Sequence, residues 1–347
     1  MAVSWSWAFG QESAVILDTQ MGWNWETTSP TFSAPSNTFT YTYPGSPARF
    51  SWTQDDQTGQ NTFTAPTGAF SPAGWLTLAV YVDSGYTDSR TLMDVRGAGT
   101  DRSIRIDMTN SATETFSLYV DNVFKASFTM TVSDWHYVAL QYDMSTATWS
   151  GRVFVDGVAA TALFTDSATA ETDGSYIFEG IGVGSRTTYF AQMIVYNSTA
   201  DAGEAPRFVT RISPDTDGAG NGTWVPPSGA GAQVAVTAND PFNNATFTEA
   251  TTPVSGNLVT TTFAATLTTQ LGVAASNIDG VTGHSYSSGT AISAFAATGA
   301  TGTFTNGATV VPDVSDTTYG FATAPINPAT AAAWVAGDTV QLKYEIV

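Results

Sequence analysis

Asp134-Trp135-His136-Tyr137-Val138-Ala139-Leu140-Gln141-Tyr142-Asp143 decides the fold. Val138, Leu140 and Tyr142 alternate with their neighbours, and a period of two is the mark of a strand. The same pattern recurs on both sides. Leu76, Leu78, Val80 and Val82 share one face of Trp75–Val82. Ile104, Ile106 and Met108 point inward from 103–108, with Arg105 and Asp107 outward. Phe116, Leu118 and Val120 repeat it, and 190–196 gives a last strand. Arg152-Val153-Phe154-Val155 runs into Asp156-Gly157 and then Val158. Asp-Gly between apolar residues predicts a two-residue hairpin, because both central positions of that turn need positive φ. Short strands with turn signals between them, and no long helical pattern, predict a β-sandwich.

Composition agrees. Of 347 residues, 42% are hydrophobic and only 12% charged, where about a quarter is usual. Thirty acids against eleven bases give a formal charge of −19. Phosphate contacts need Lys and Arg, so nucleic acid is excluded as a partner, and an anionic membrane surface is equally disfavoured. No run of about 18 apolar residues occurs, so no membrane-spanning helix is expected. The absence of cysteine excludes disulfides, thiol catalysis and cysteine–zinc sites. The opening Met1-Ala2-Val3-Ser4-Trp5-Ser6-Trp7-Ala8-Phe9 lacks the basic start and aliphatic stretch of a secretion signal.

The chain changes character near residue 211. Ten bases and 21 acids precede that point; one base, Lys343, and nine acids follow it. The later region is rich in Ala and Thr. Gly, Pro and Asp clusters at 213–222 and 226–229 read as turns. The expected organisation is therefore a first domain over 1–205, a linker over 206–228 and a C-terminal domain over 229–347. In the latter, Val259, Thr261, Phe263, Ala265 and Leu267 alternate, and Val340, Leu342, Tyr344 and Ile346 do so again. Asn327 as N-cap, Pro328 at the first helical position and Gly337 as stop predict one short helix.

Taken in order, Trp75–Val82, Asp134–Asp143, Val153–Gly157, Ile181–Gly184 and Phe190–Tyr196 resemble the laminin-G-like, concanavalin A-like jelly-roll family. The resemblance marks Trp135, His136, Asp156 and Gly157 as fold-motif positions. It implies an all-β chain: a concanavalin A-like jelly-roll sandwich, followed here by a smaller β-sandwich domain. The family's functions range from sugar binding to adhesion. Phe208–Pro214, Gly222–Pro226, Asp316–Tyr319 and Pro325–Trp334 resemble pieces of tailed-bacteriophage virion proteins. That second resemblance implies a virion surface protein, made in the host cytoplasm without a secretion signal. It would be a head decoration, a head fibre or a tail-associated adhesin. Its implied partners are other virion proteins, copies of itself and a host surface glycan. A carbohydrate-binding module for a host or environmental glycan, in or out of a virion, is the alternative, and a glycoside hydrolase is the third reading.

Candidate sites follow from residue chemistry. Trp5, Trp7, Trp23 and Trp25 form a dense aromatic group suited to sugar stacking, though such strand faces are more often buried in a core. Asp55, Asp56 and Asn61 are the densest oxygen-ligand cluster of the first region, and calcium is the one cofactor the sequence leaves open. Asp215–Asn221 lacks the acids of a helix–loop–helix calcium loop and reads as a linker turn. Of the two histidines, His136 lies in a strand and His284 in an expected loop. The eight Glu residues include no pair at i, i+2 or i, i+4, as a glycosidase strand would supply. No Gly-x-Ser-x-Gly occurs, and Asp101, Asp107 and Asp121 read as ordinary strand or turn positions. The expectation is a protein without catalytic residues.

Overall fold

The structure is a computed structural model. It describes residues 3–7, 23–25, 31–33, 51–54, 61–63, 70–82, 84, 90–98, 102–110, 114–178, 188–200, 203–207, 216–220, 224–225, 249–250, 258–262, 278–288, 293–298, 304–310, 317–328, 330–335, 337–338 and 340–346. The chain divides into two compact units, Met1–Val209 and Thr210–Val347.

Among the described residues the first unit contains sixteen strands: β1 (Val3–Trp7), β2 (Trp23–Trp25), β3 (Thr31–Ser33), β4 (Ser51–Gln54), β5 (Asn61–Phe63), β6 (Ala73–Val82), β7 (Arg90–Gly97), β8 (Ser103–Asn110), β9 (Thr115–Val120), β10 (Val123–Thr129), β11 (Trp135–Asp143), β12 (Thr148–Val155), β13 (Val158–Ala159), β14 (Phe164–Ser167), β15 (Gly174–Phe178) and β16 (Thr188–Tyr196). They form two antiparallel sheets. The first runs β13-β12-β11-β6-β16-β4-β3, with β1 also on β16 and β14 also on β12. The second runs β10-β9-β8-β7-β15-β5-β2. The two faces meet in a dry core of Leu76, Leu78, Val80, Val138, Leu140 and Val153 from one sheet and Val95, Ile104, Ile106, Phe116, Leu118 and Val120 from the other. Gly151 of β12 sets how closely they approach: a Cβ there would stand 2.9 Å from Ile104 and 3.0 Å from Val120. The result is an all-β sandwich.

A polar tie crosses the core. The Tyr142 hydroxyl of β11 donates to the Ser71 carbonyl at 2.9 Å and lies 3.0 Å from the Tyr176 hydroxyl of β15. Both side chains are fully buried, and burial, first of all causes, raises both phenols above their ordinary range. The pair therefore stays neutral and hydrogen-bonded, as buried polar groups must.

The expected turn closes its hairpin, and a second turn of the same kind closes another. Asp156 and Gly157 have φ of 52° and 83°, and Val155 faces Val158 across them. Asp121 and Asn122 do the same between Val120 and Val123, with φ of 54° and 61°. Asn and Asp tolerate the left-handed region better than other non-glycine residues.

The central strands differ from the half-buried expectation. The outward face of β6 and β11 is also buried, in a cluster of Trp75, Tyr137, Ala139, Phe154, Ile194 and Tyr196. Residues 197–200 and 203–207 fold back over it. Tyr137 donates its hydroxyl to the Gly203 carbonyl at 3.0 Å, and Gln141 donates to Thr199 at 2.9 Å. Gly203 lies against the Trp75 ring.

In the second unit, Thr216–Gly220, Leu258–Thr262, Gln341–Ile346, Ser293–Thr298 and Phe304–Val310 form one antiparallel sheet in that order. Trp224–Val225 pairs with Glu249–Ala250, and Val281–Ser288 with Thr317–Ala324. Three local expectations are corrected. Residues 216–220, read as a linker turn, pair in register with 258–262. His284, read as a loop residue, stands opposite Phe321 in a strand. The short helix after Asn327 is replaced by turns: Asn327 and Ala332 bridge, and Ala331 has φ of 53°. Tertiary contacts override alanine propensity there. Trp334 is buried, donates its indole N–H to the Ala324 carbonyl at 2.8 Å and bridges to Ile278. No helix among the described residues is long and apolar enough to cross a membrane.

Candidate functional site

Alternation that buries Ile104, Ile106 and Leu118 sends their neighbours to the opposite face of the second sheet. Register then aligns Asp94 of β7, Arg105 of β8, Tyr119 of β9 and Phe124 of β10 in one row across four strands. On one side of the row stand Arg96, Ser103 and Asn122; on the other, Thr91, Asp107, Ser117 and Ser127.

The row is preorganised. The Arg105 guanidinium lies over the Tyr119 ring, 4.4 Å from its centroid. Its Nε donates to both Asp107 carboxylate oxygens at 3.1 Å, and its Nη1 donates to the Asn122 side-chain oxygen. Thr91 donates to Asp107 at 3.0 Å, and Ser103 donates to Asn122 at 3.1 Å. Phe124 meets Tyr119 edge-on with centroids 5.8 Å apart and remains 54% exposed. The Ser117 and Ser127 hydroxyls lie 3.3 Å apart. At the far end Asp94 is fully buried and accepts from Arg96 at 2.9 Å. Burial raises the Asp94 carboxyl, and the Arg96 charge and hydrogen bond oppose that rise.

This face offers an open aromatic edge, the Ser127 hydroxyl, the Asn122 amide and a planar guanidinium, lying over buried carboxylates already paired to bases. Asp94 is balanced by Arg96 and Asp107 by Arg105. Such a surface suits a polyhydroxylated ligand, whose apolar ring faces lie on aromatics while its hydroxyls both donate and accept. Sequence reading missed it. Asp107, taken as an ordinary strand position, is a buried acceptor at its centre. The available signal was the polar alternation of Ser103, Arg105 and Asp107 beside Ser117 and Tyr119.

The sequence-derived candidates fall elsewhere. Trp5 and Trp7 lie on β1 opposite Val195 and Met193 of the first sheet. Trp23 and Trp25 lie on β2 at the edge of the second. The four are thus divided between two sheets. Asn61 opens β5, in register with Trp25 and Phe178. Asp55, Asp56 and Asp101 lie outside the described residues. Among the described residues no three His, Asp or Glu side chains are grouped to hold a metal.

The fold-motif residues form a hairpin clasp. His136 Nδ1 lies 2.6 Å from the Asp156 carboxylate, which also accepts from the Tyr137 backbone N–H at 2.9 Å. Burial works against a charged His136 ring, but the Asp156 hydrogen bond and charge, with Asp134, hold its pKa above the ordinary value. Trp135 packs on Tyr81 with centroids 5.8 Å apart. Gly157 meets the Pro206 ring.

No protein-family model matches the chain, and no curated protein does. Distant structural likenesses are to β-sandwich proteins. Trypanosoma rangeli sialidase in complex with the inhibitor DANA has 12% identity and a TM-score of 0.35, over 45% of this chain and 26% of that one. A native heptameric SAP-like pentraxin from Limulus polyphemus has 12% identity and a TM-score of 0.27, over 38% and 68%. The carbohydrate esterase vb_24B_21 from Shiga toxin-encoding bacteriophage phi24B has 11% identity and a TM-score of 0.35, over 56% and 100%. The chain spans about a quarter of the length of the sialidase.

Proposed function

We propose that this chain is a non-catalytic binding protein on the surface of a tailed-phage particle, and that its sandwich holds a glycan on the outer face of the second sheet. The observation that carries the binding reading is the cross-strand row Asp94–Arg105–Tyr119–Phe124 with its paired charges and exposed ring edge. Rigid strands position these groups more accurately than loops would. The carboxylates serve as hydrogen-bond partners, and no reaction is assigned to them. The particle reading is supported by the resemblance of residues 208–226, 316–319 and 325–334 to virion proteins. It implies synthesis in the host cytoplasm and contacts with other virion proteins.

The second unit completes the proposal as a smaller β-sandwich. Ser293–Thr298 and Phe304–Val310 of its main sheet lie beside Thr317–Ala324 of the other ladder, which supports a two-layer arrangement.

Two measurements test the reading. A broad glycan array, run with and without calcium, should give hits that Tyr119→Ala abolishes. Silence under both conditions removes the glycan. Mass spectrometry of purified particles should find the chain, and its absence from them removes the particle role.

A further inference from the structure

The two sheets end on the same side of the sandwich, where β10 closes the second and β13 and β14 close the first. Lys125 of β10 reaches Asp166 of β14 at 2.5 Å, and Arg102 donates to the Ser167 carbonyl at 3.3 Å. Four large apolar side chains of the first unit's described residues are left in solvent, and all four are here. They are Val123 at 47%, Phe124 at 54%, Val158 at 70% and Leu163 at 55% exposure.

The two edges differ in kind. The β13–β14 edge is broken, since Ala160 and Thr161 both donate to the Val153 carbonyl while the Thr161 hydroxyl accepts from the Val153 N–H. By contrast β10 runs for seven residues, and no strand among the described residues pairs with its other side. Edge strands are normally guarded by Pro, by outward charge or by a bulge that turns the edge away. Val123-Phe124-Lys125-Ala126-Ser127-Phe128-Thr129 has no Pro and one charge. A bulge between Phe124 and Ala126 lets Lys125 bind Asp166 of the first sheet, leaving its side chain 15% exposed. That charge guards nothing. The edge also carries no acid, in a chain of net charge −19. Copies of this chain repel one another generally, and they repel least where the surface is neutral.

We propose that β10 is a dimerisation edge: two copies pair Val123–Thr129 antiparallel across a two-fold axis, joining their second sheets. An isologous pair needs an edge free of Pro and of unpaired charge on both partners, and Ala126–Thr129 beyond the bulge supplies it twice. The pairing satisfies the backbone groups of both edges and withdraws Val123 from water, while the Phe124 ring stays on the open face of the joined sheets. It also sets two Asp94–Arg105–Tyr119–Phe124 rows side by side, a doubling that rests on the glycan reading of that face; the dimer itself does not.

Sedimentation velocity on the full chain, from about 1 to about 200 μM and at about 0.15 and 1 M salt, tests this. The expected result is a reversible dimer that tightens as salt screens the acidic chains. Ser127→Pro should be monomeric across the range in which the wild type is dimeric. The double variant Val123→Glu/Thr129→Glu, at two exposed positions, should also be monomeric with an unchanged circular dichroism spectrum. A wild type that stays monomeric, that forms a trimer, or that dissociates in salt overturns the inference. So does a dimer that survives the double variant. Mass is the readout, so a dimer that binds no glycan leaves this inference standing and removes only the ligand.

Discussion

Removing the Tyr142 hydroxyl should unfasten a polar tie across the sandwich core. Tyr142→Phe keeps the ring and its packing, but it deprives the Ser71 carbonyl of its 2.9 Å donor and the Tyr176 hydroxyl of its 3.0 Å partner. Ser71 N–H still reaches the Tyr176 oxygen, though at 3.4 Å, so part of the network survives. A buried group left without its partner costs about 1–3 kcal/mol. Two groups are affected and one keeps a weak bond, so the expected loss is about 2–3 kcal/mol. Tyr176→Phe should cost less, about 1 kcal/mol, because Tyr142 keeps its donation to Ser71. Combining the two should fall short of the sum, since both act on one network. Urea unfolding, followed by near-ultraviolet circular dichroism, measures all three at constant m-value. A loss below about 0.5 kcal/mol for Tyr142→Phe would refute the reasoning, because it would mean that water reaches these hydroxyls and the sheets do not pack there.

Other outcomes follow from the same geometry. His136 has a folded-state pKa above its ordinary 6.5, so its contribution is complete below 6.5 and lost as pH rises through the folded value. The urea midpoint should therefore fall across that window, and Asp156→Asn should flatten the slope; an unchanged slope contradicts the clasp. Gly203→Val should lower stability by about 1–3 kcal/mol in urea, because a Cβ there would stand 2.5 Å from Trp75 Cγ. Gly151→Leu should cost a similar ~1–3 kcal/mol by forcing the sheets apart. A neutral result at either glycine in the same assay contradicts the close approach claimed for it.

The sandwich was legible because its inward positions keep a strict period of two. Ile104, Ile106 and Met108 are all fully buried, as their alternation with Arg105 and Asp107 implies. Asp156-Gly157 announced its hairpin through the φ that glycine permits. The buried outer face of β6 and β11 was less visible: Trp75, Ala79, Tyr137 and Ala139 make those strands apolar throughout, but the covering residues 197–200 and 203–207 carry no pattern of their own. The face proposed to bind was hidden for a different reason. Arg105 and Asp107 come from one stretch and Tyr119 and Asn122 from another, and only cross-strand register brings them together. The misread helix after Asn327 shows the reverse case, where local propensity was clear and the burial of Trp334 overruled it.

The central claim is that the second sheet's outer face holds a ligand through Phe124, Tyr119 and Arg105. Titration calorimetry with a glycan identified on the array tests it most directly, comparing wild type with Phe124→Ala. Phe124 is exposed, so its removal should leave the fold intact. The account predicts an affinity about tenfold weaker or worse, roughly 1.4 kcal/mol. Unchanged affinity in Phe124→Ala, and again in Arg105→Ala, would contradict it.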